Sequence, residues 1–166
     1  LIAQWMDIYN KWDDFFWRPD ILGARLANWT THFAFLSATA NQQFLNKFLF
    51  ELGRQSRHLS RSVLRGPPGH PRITALKGLI YAGISLPQSE NYLVQGMDGL
   101  ENQSACQLYP DGGHVSRNPK IQKDLLRDLL EIRAALLTAY FIAPNWLNQA
   151  ISRMASMLQG MRMGDG

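Results

Sequence analysis

One cysteine in 166 residues, Cys106, excludes an internal disulfide and any site built from several thiolates. The four histidines, at 32, 58, 70 and 114, show no ligand spacing, so neither a metal nor another cofactor is expected. No apolar run reaches the roughly 18 residues that cross a bilayer. Nowhere do β-branched residues alternate at period two, so no sheet is expected in this stretch. Charge is sparse at 18%, against 46% hydrophobic residues, a globular and not a disordered balance. Acidic residues are the minority: 17 Lys and Arg face 13 Asp and Glu, for a net charge of +4. That mild excess favours an anionic partner such as an acidic polysaccharide, a nucleic acid or a lipid surface. No helix-turn-helix and no basic motif interleaved with aromatics is present, so nucleic acid is not expected. The chain starts at Leu1 without a methionine and stops at Gly164-Asp165-Gly166. It reads as one helical domain over 1–166, cut at both ends.

What is present is helical periodicity broken by Pro and Gly. Leu1, Trp5 and Ile8 share one face, and an aromatic connector runs from Lys11 to Pro19. Asp20 is placed to cap a helix whose stripe is Leu22, Leu26, Trp29, Phe33 and Leu36. Arg25, Asn28 and His32 adjoin that stripe. Asn41 opens a third helix with Leu45, Phe48, Leu52, Leu59 and Val63 inward. Its other side carries Arg54, Arg57, His58, Arg61 and Arg65 at spacings of three and four. Like charges so spaced repel, so either carboxylates answer them or they present a basic surface. A helix from His70 carries Gly78 and Gly83, which implies close approach of another helix. Ser89 is placed to cap the next one. Pro119 opens the longest helix, with Ile121, Leu125, Leu129, Ile132 and Leu136 inward, and a final helix follows Pro144 with a methionine stripe.

Between Gln107 and Gln122 lies the stretch that interrupts this pattern, Tyr109-Pro110-Asp111-Gly112-Gly113 followed by His114, Ser116, Arg117 and Asn118. Proline removes a donor, aspartate bonds its own backbone and glycine accepts positive φ, so a tight turn is expected. Asn118-Pro119 reads as a cap and first helical residue. A polar loop between two long helices is either a plain connector or a functional site.

The Arg25–Trp29 segment, the Arg54–Leu59 helix, His70 through Gly83, and above all Asp111-Gly112-Gly113-His114-Val115-Ser116-Arg117-Asn118-Pro119 resemble heparinase II/III-like proteins. The resemblance implies an all-α fold of antiparallel helical hairpins, part of an (α/α) toroid, with a β-sandwich normally following. Members of known activity are polysaccharide lyases that remove the C5 proton of a uronic acid and eliminate the neighbouring glycosidic oxygen. Such a site needs a base, cations at the carboxylate and an acid at the leaving oxygen. The implied roles give His70 and His114 the proton chemistry. Arg117, Arg54, Arg57, Arg61 and Asn28 would bind the acidic polysaccharide, and the implied compartment is the periplasm. The sequence departs from active members in three places. Gly69-His70 stands where they carry Asn-His, Ile121 where they carry a catalytic Tyr, and Leu125 where they carry an Arg. A toroid that kept the groove and lost the chemistry is the alternative the residues leave open.

Overall fold

The computed structural model describes residues 2–9 and 11–161; the readings made on Leu1 and on Gly164-Asp165-Gly166 lie outside the described residues. All regular structure within them is helical: α1 (Ile2–Ile8), α2 (Pro19–Thr31), α3 (Phe33–Ser37), α4 (Gln42–Ser62), α5 (His70–Ser85), α6 (Glu90–Gln107), α7 (Pro119–Thr138) and α8 (Asn145–Gly160). One 3-10 turn, Val63–Arg65, continues α4. The chain divides into two compact units, Leu1–Gly96 and Met97–Gly166.

The first unit closes around Met6, Trp17, Leu22, Leu26, Trp29, Phe48, Leu52 and Leu59, all buried. Phe48 is ringed by Trp29, Phe33 and Phe44 at centroid distances of 5.1, 5.8 and 5.7 Å. Helix α5 is buried nearly all round, from Ala75 to Ile80 without a break, as a helix wrapped by neighbours must be. It crosses α2 with no side-chain layer between. A Cβ on Gly78 would lie 2.3 Å from the Cα of Gly23, and one on Gly23 would lie 2.4 Å from the carbonyl oxygen of Thr74. The close approach expected from Gly78 is therefore met.

Two caps differ from the sequence reading. Helix α2 starts two residues earlier, at Pro19, with Arg18 at its cap position and no side-chain capping bond. Proline presets the first helical φ, so Asp20 falls inside the first turn. There it pairs with Arg18 at 2.7 Å and complements the helix dipole. The hydroxyl of Ser89 turns back to the carbonyls of α5, among them Ala82 at 3.2 Å. Asn41 does cap α4, its Oδ1 accepting the Phe44 N–H at 2.8 Å. The stripe from Leu22 to Leu36 is interrupted at His32, which ends α2 and precedes α3.

In the second unit α7 packs on α8. Leu125, Leu129, Ile132 and Leu136 of the former are buried, as are Leu147, Ile151 and Met154 of the latter. The Asp111-Gly112-Gly113 turn sits against α8, where a Cβ on Gly112 would lie 2.3 Å from the carbonyl carbon of Arg153.

Candidate functional site

The cation stripe of α4 resolves into two kinds of arginine. Arg54 is half-buried and donates to the buried carboxylate of Glu51, one turn earlier, through Nη2 at 2.8 Å and Nε at 3.2 Å. Its guanidinium also lies 4.7 Å from the ring centroid of Trp17. Arg57, Arg61 and Arg65 are exposed. Of the two outcomes the spacing leaves open, Arg54 takes the first, while Arg57, Arg61 and Arg65 present the basic surface. A carboxylate within the same helix answers Arg54, and an indole from the connector covers it.

Behind Glu51 lies a second guanidinium. Arg25 donates to Gln55 Oε1 at 3.0 Å and to the Phe16 carbonyl at 2.8 Å, and rests 4.1 Å over the ring of Trp5. Burial lowers its pKa to about 10, with Glu51 opposing, so it stays charged at neutral pH. Arg25 therefore turns inward, away from Asn28 and His32, which are exposed.

Residues 54, 57, 58 and 61 stand at i, i+3, i+4 and i+7, so they share a face. The aromatic connector is folded over that face. Asp13 Oδ1 accepts the N–H groups of Phe15 and Phe16, both at 2.9 Å, and the Trp17 indole donates to the Lys11 carbonyl at 2.8 Å. The result is a groove of about 350 Å³ lined by Trp12, Trp17, Arg54, Arg57, His58 and Arg61. Trp12 is 65% exposed, an unusual placement for the largest apolar side chain. His58 meets Trp17 edge to face, with centroids 5.1 Å apart. Partial burial, then the charges of Arg65, Arg54 and Arg61, lower its pKa below the ordinary 6.5. The groove joins two indoles to a cluster of cations, which suits an anionic ligand with flat apolar faces.

The D-G-G-H loop has its own geometry. The Gly112 N–H returns to the Tyr109 carbonyl at 2.9 Å, with Gly112 at φ +87°, and Tyr109 N–H meets Gly113 O at 2.8 Å. Asp111 Oδ1 accepts the Gly113 N–H at 2.8 Å, and Asn118 Oδ1 accepts Lys120 N–H at 2.9 Å. Both roles, one shaping the turn and the other capping the long helix, are those the sequence implies. His114 is buried. Its Nδ1 accepts the Ser116 N–H at 3.1 Å and lies 2.7 Å from the Ser116 hydroxyl, while Nε2 lies 3.2 Å from Gln107 Oε1. A backbone N–H can only donate, so Nδ1 holds the lone pair and Nε2 carries the proton. Arg117 is exposed at φ +51°, a left-handed conformation that costs an arginine about 1 kcal/mol, with its guanidinium 6.0 Å from the Tyr109 ring centre. His70 is half-buried at the first residue of α5, after Gly69 at φ +85°.

Residues 5–157 match the family described as heparinase II/III N-terminus. The chain belongs to that family. The chain is 30% identical over all its 166 residues to FtsZ-localized protein C of Caulobacter vibrioides, and spans 29% of that protein. Its fold is that of a solved heparinase III, with a TM-score of 0.69 at 20% identity over 92% of this chain and 26% of the other. The expected all-α, heparinase-type helical fold is met.

Sequence reasoning passed over several residues that build these sites. Trp12 and Trp17 were visible as an aromatic connector, and the signal for a site was two indoles beside Asp13 and Arg18 instead of an apolar run. Glu51 and Gln122 gave no such signal.

Proposed function

We propose that the chain is a glycan-binding helical module of the heparinase II/III type, holding an acidic polysaccharide without supplying the elimination chemistry. The observation that carries this reading is the groove of Trp12, Trp17, Arg57, His58 and Arg61. A uronic-acid polymer offers carboxylates for guanidinium forks and ring faces for indole contact, which matches the lining in type. Leu125 is fully buried and Ile121 half-buried where the resemblance implies an arginine and a catalytic tyrosine. Both imidazole nitrogens of His114 are engaged within the loop, which favours a bracing role. Calorimetric titration with polygalacturonate, and with dextran as neutral control, tests the proposal. Polygalacturonate should bind and dextran should not. The double variant R57A/R61A should weaken binding about 10-fold, the loss of two exposed charge contacts. Equal binding of both polymers, or no effect of the double variant, overturns it. A lyase with His70 and His114 as proton-transfer groups and Arg117 as charge neutraliser is the catalytic alternative. It requires unsaturated uronate products that disappear in H70A or H114A.

A second reading rests on the Caulobacter relative, named for localisation to FtsZ and matched along this whole chain. It makes the chain a module of a protein that assembles with FtsZ. Co-sedimentation with FtsZ polymers tests it, and absence from the pellet would remove it.

A further inference from the structure

We propose that the second unit carries a separate cleft for an uncharged sugar ring, distinct in residues and in chemistry from the cationic groove. It lies between one face of α6 and one face of α8, beside the start of the Tyr109-Pro110 turn. Glu101 and Ser104 stand at i and i+3 on α6, and Trp146, Ala150 and Arg153 at i, i+4 and i+7 on α8. They line, with Tyr109, a cavity of about 440 Å³. That is within the range of small-ligand sites, roughly 300–1,000 Å³.

Three observations point to a ligand. Ser104 is 5% exposed and its hydroxyl has no hydrogen-bond partner among the described residues. A buried polar group without a partner is rare in a native fold, and a ligand hydroxyl at this wall would supply one. Glu101 and Arg153 are both exposed, and neither forms an ion pair with another described residue. One carboxylate and one guanidinium leave the cleft without a charge preference. They offer acceptors and donors together, the complement of a ring bearing hydroxyls. Tyr109 is 44% exposed and Trp146 half-buried, so the cleft also presents apolar ring faces to sugar C–H groups.

Saturation-transfer NMR on the whole chain with cellobiose, maltose and N,N′-diacetylchitobiose tests the inference. At least one disaccharide should bind, with an affinity that does not change from low to high salt. W146A should weaken it by about 10-fold or more, as removal of an aromatic anchor does. S104A keeps the test sharp if W146A fails to fold. It should raise the melting temperature, because an unpartnered buried hydroxyl is gone, while weakening the disaccharide. R57A/R61A should leave disaccharide binding unchanged, so failure here and failure of the acidic-polymer groove are told apart. No disaccharide signal, or binding indifferent to S104A and W146A, overturns the inference. Preference for short peptides over all three sugars overturns it as well.

Discussion

Gln122 holds His114 by its backbone: the side-chain Oε1 accepts the His114 N–H at 2.7 Å, although eight positions separate them. The same amide donates through Nε2 to the Gly112 carbonyl at 2.8 Å and toward the Met154 carbonyl at 3.4 Å. One side chain on α7 thus holds the loop on either side of Gly113 and reaches α8.

Removing that amide should cost more than any surface change nearby. Q122A leaves a buried N–H and a buried carbonyl without partners, at about 2–4 kcal/mol. G112A should cost at least about 3 kcal/mol, combining a disfavoured φ with a Cβ overlapping the α8 backbone. Urea denaturation of the two variants checks this. A loss below about 0.5 kcal/mol in Q122A would mean the loop is held by other contacts.

Glu51 is the carboxylate on which two guanidiniums depend. E51A leaves Arg25 without its opposing charge and Arg54 without its partner, and should cost about 2–4 kcal/mol. Arg54 keeps a third of its side chain in solvent, which holds the cost below that of a fully buried pair. E51Q should recover part of the loss by keeping an acceptor. Thermal melts of the pair discriminate: equal losses would show that charge, and not hydrogen bonding, is what Glu51 supplies.

Arg57 and Arg61 should behave oppositely. Each is exposed, so R57A and R61A should shift stability by no more than about 0.5 kcal/mol. Binding of an anionic polymer should weaken as salt rises, and the salt slope should be shallower in either variant. A slope unchanged by both substitutions would place the polymer elsewhere on the surface.

His58 sets a pH dependence with a definite sign. Its folded pKa lies below the ordinary 6.5, so from that value downward the unfolded chain takes up a proton before the folded one does. Stability therefore falls as pH drops below about 6.5, levelling once His58 is charged in the fold as well. H58Q should flatten this part of the profile. Melting temperatures that rise on acidification through that window would contradict the assignment.

How much of this was readable from the chain depended on the range of the interaction. Asn41, Asn118 and Asp111 act within three positions of themselves, so their roles follow from local chemistry. Gly78 was readable because a glycine in a helix interior needs a reason, and the reason proved to be Gly23. Asp20 misled by two positions because Pro19 claims the first helical site. Glu51 and Gln122 were not readable. Each looks like an ordinary polar position on an amphipathic helix, and its role depends on partners that tertiary folding delivers: Arg25 for one, Gly112 and Met154 for the other. The groove was half-readable, since the helical spacing of its arginines is local while the fold of Trp12 and Trp17 over them is not.

The contact of Gly23 with Gly78 also limits how this chain can drift. Most core positions tolerate change because a neighbour can shift rotamer or shrink to make room. Here the atoms in the way are main chain on both sides, so no second-site substitution can open the space. Gly78 is held as glycine by the backbone of Gly23, and Gly23 by the backbone of Thr74 and Ala75, so the α2–α5 crossing can be altered only by moving whole helices. The indoles and arginines of the groove face no such lock. Its ligand preference can be rewritten by point changes while the α2–α5 crossing stays as it is.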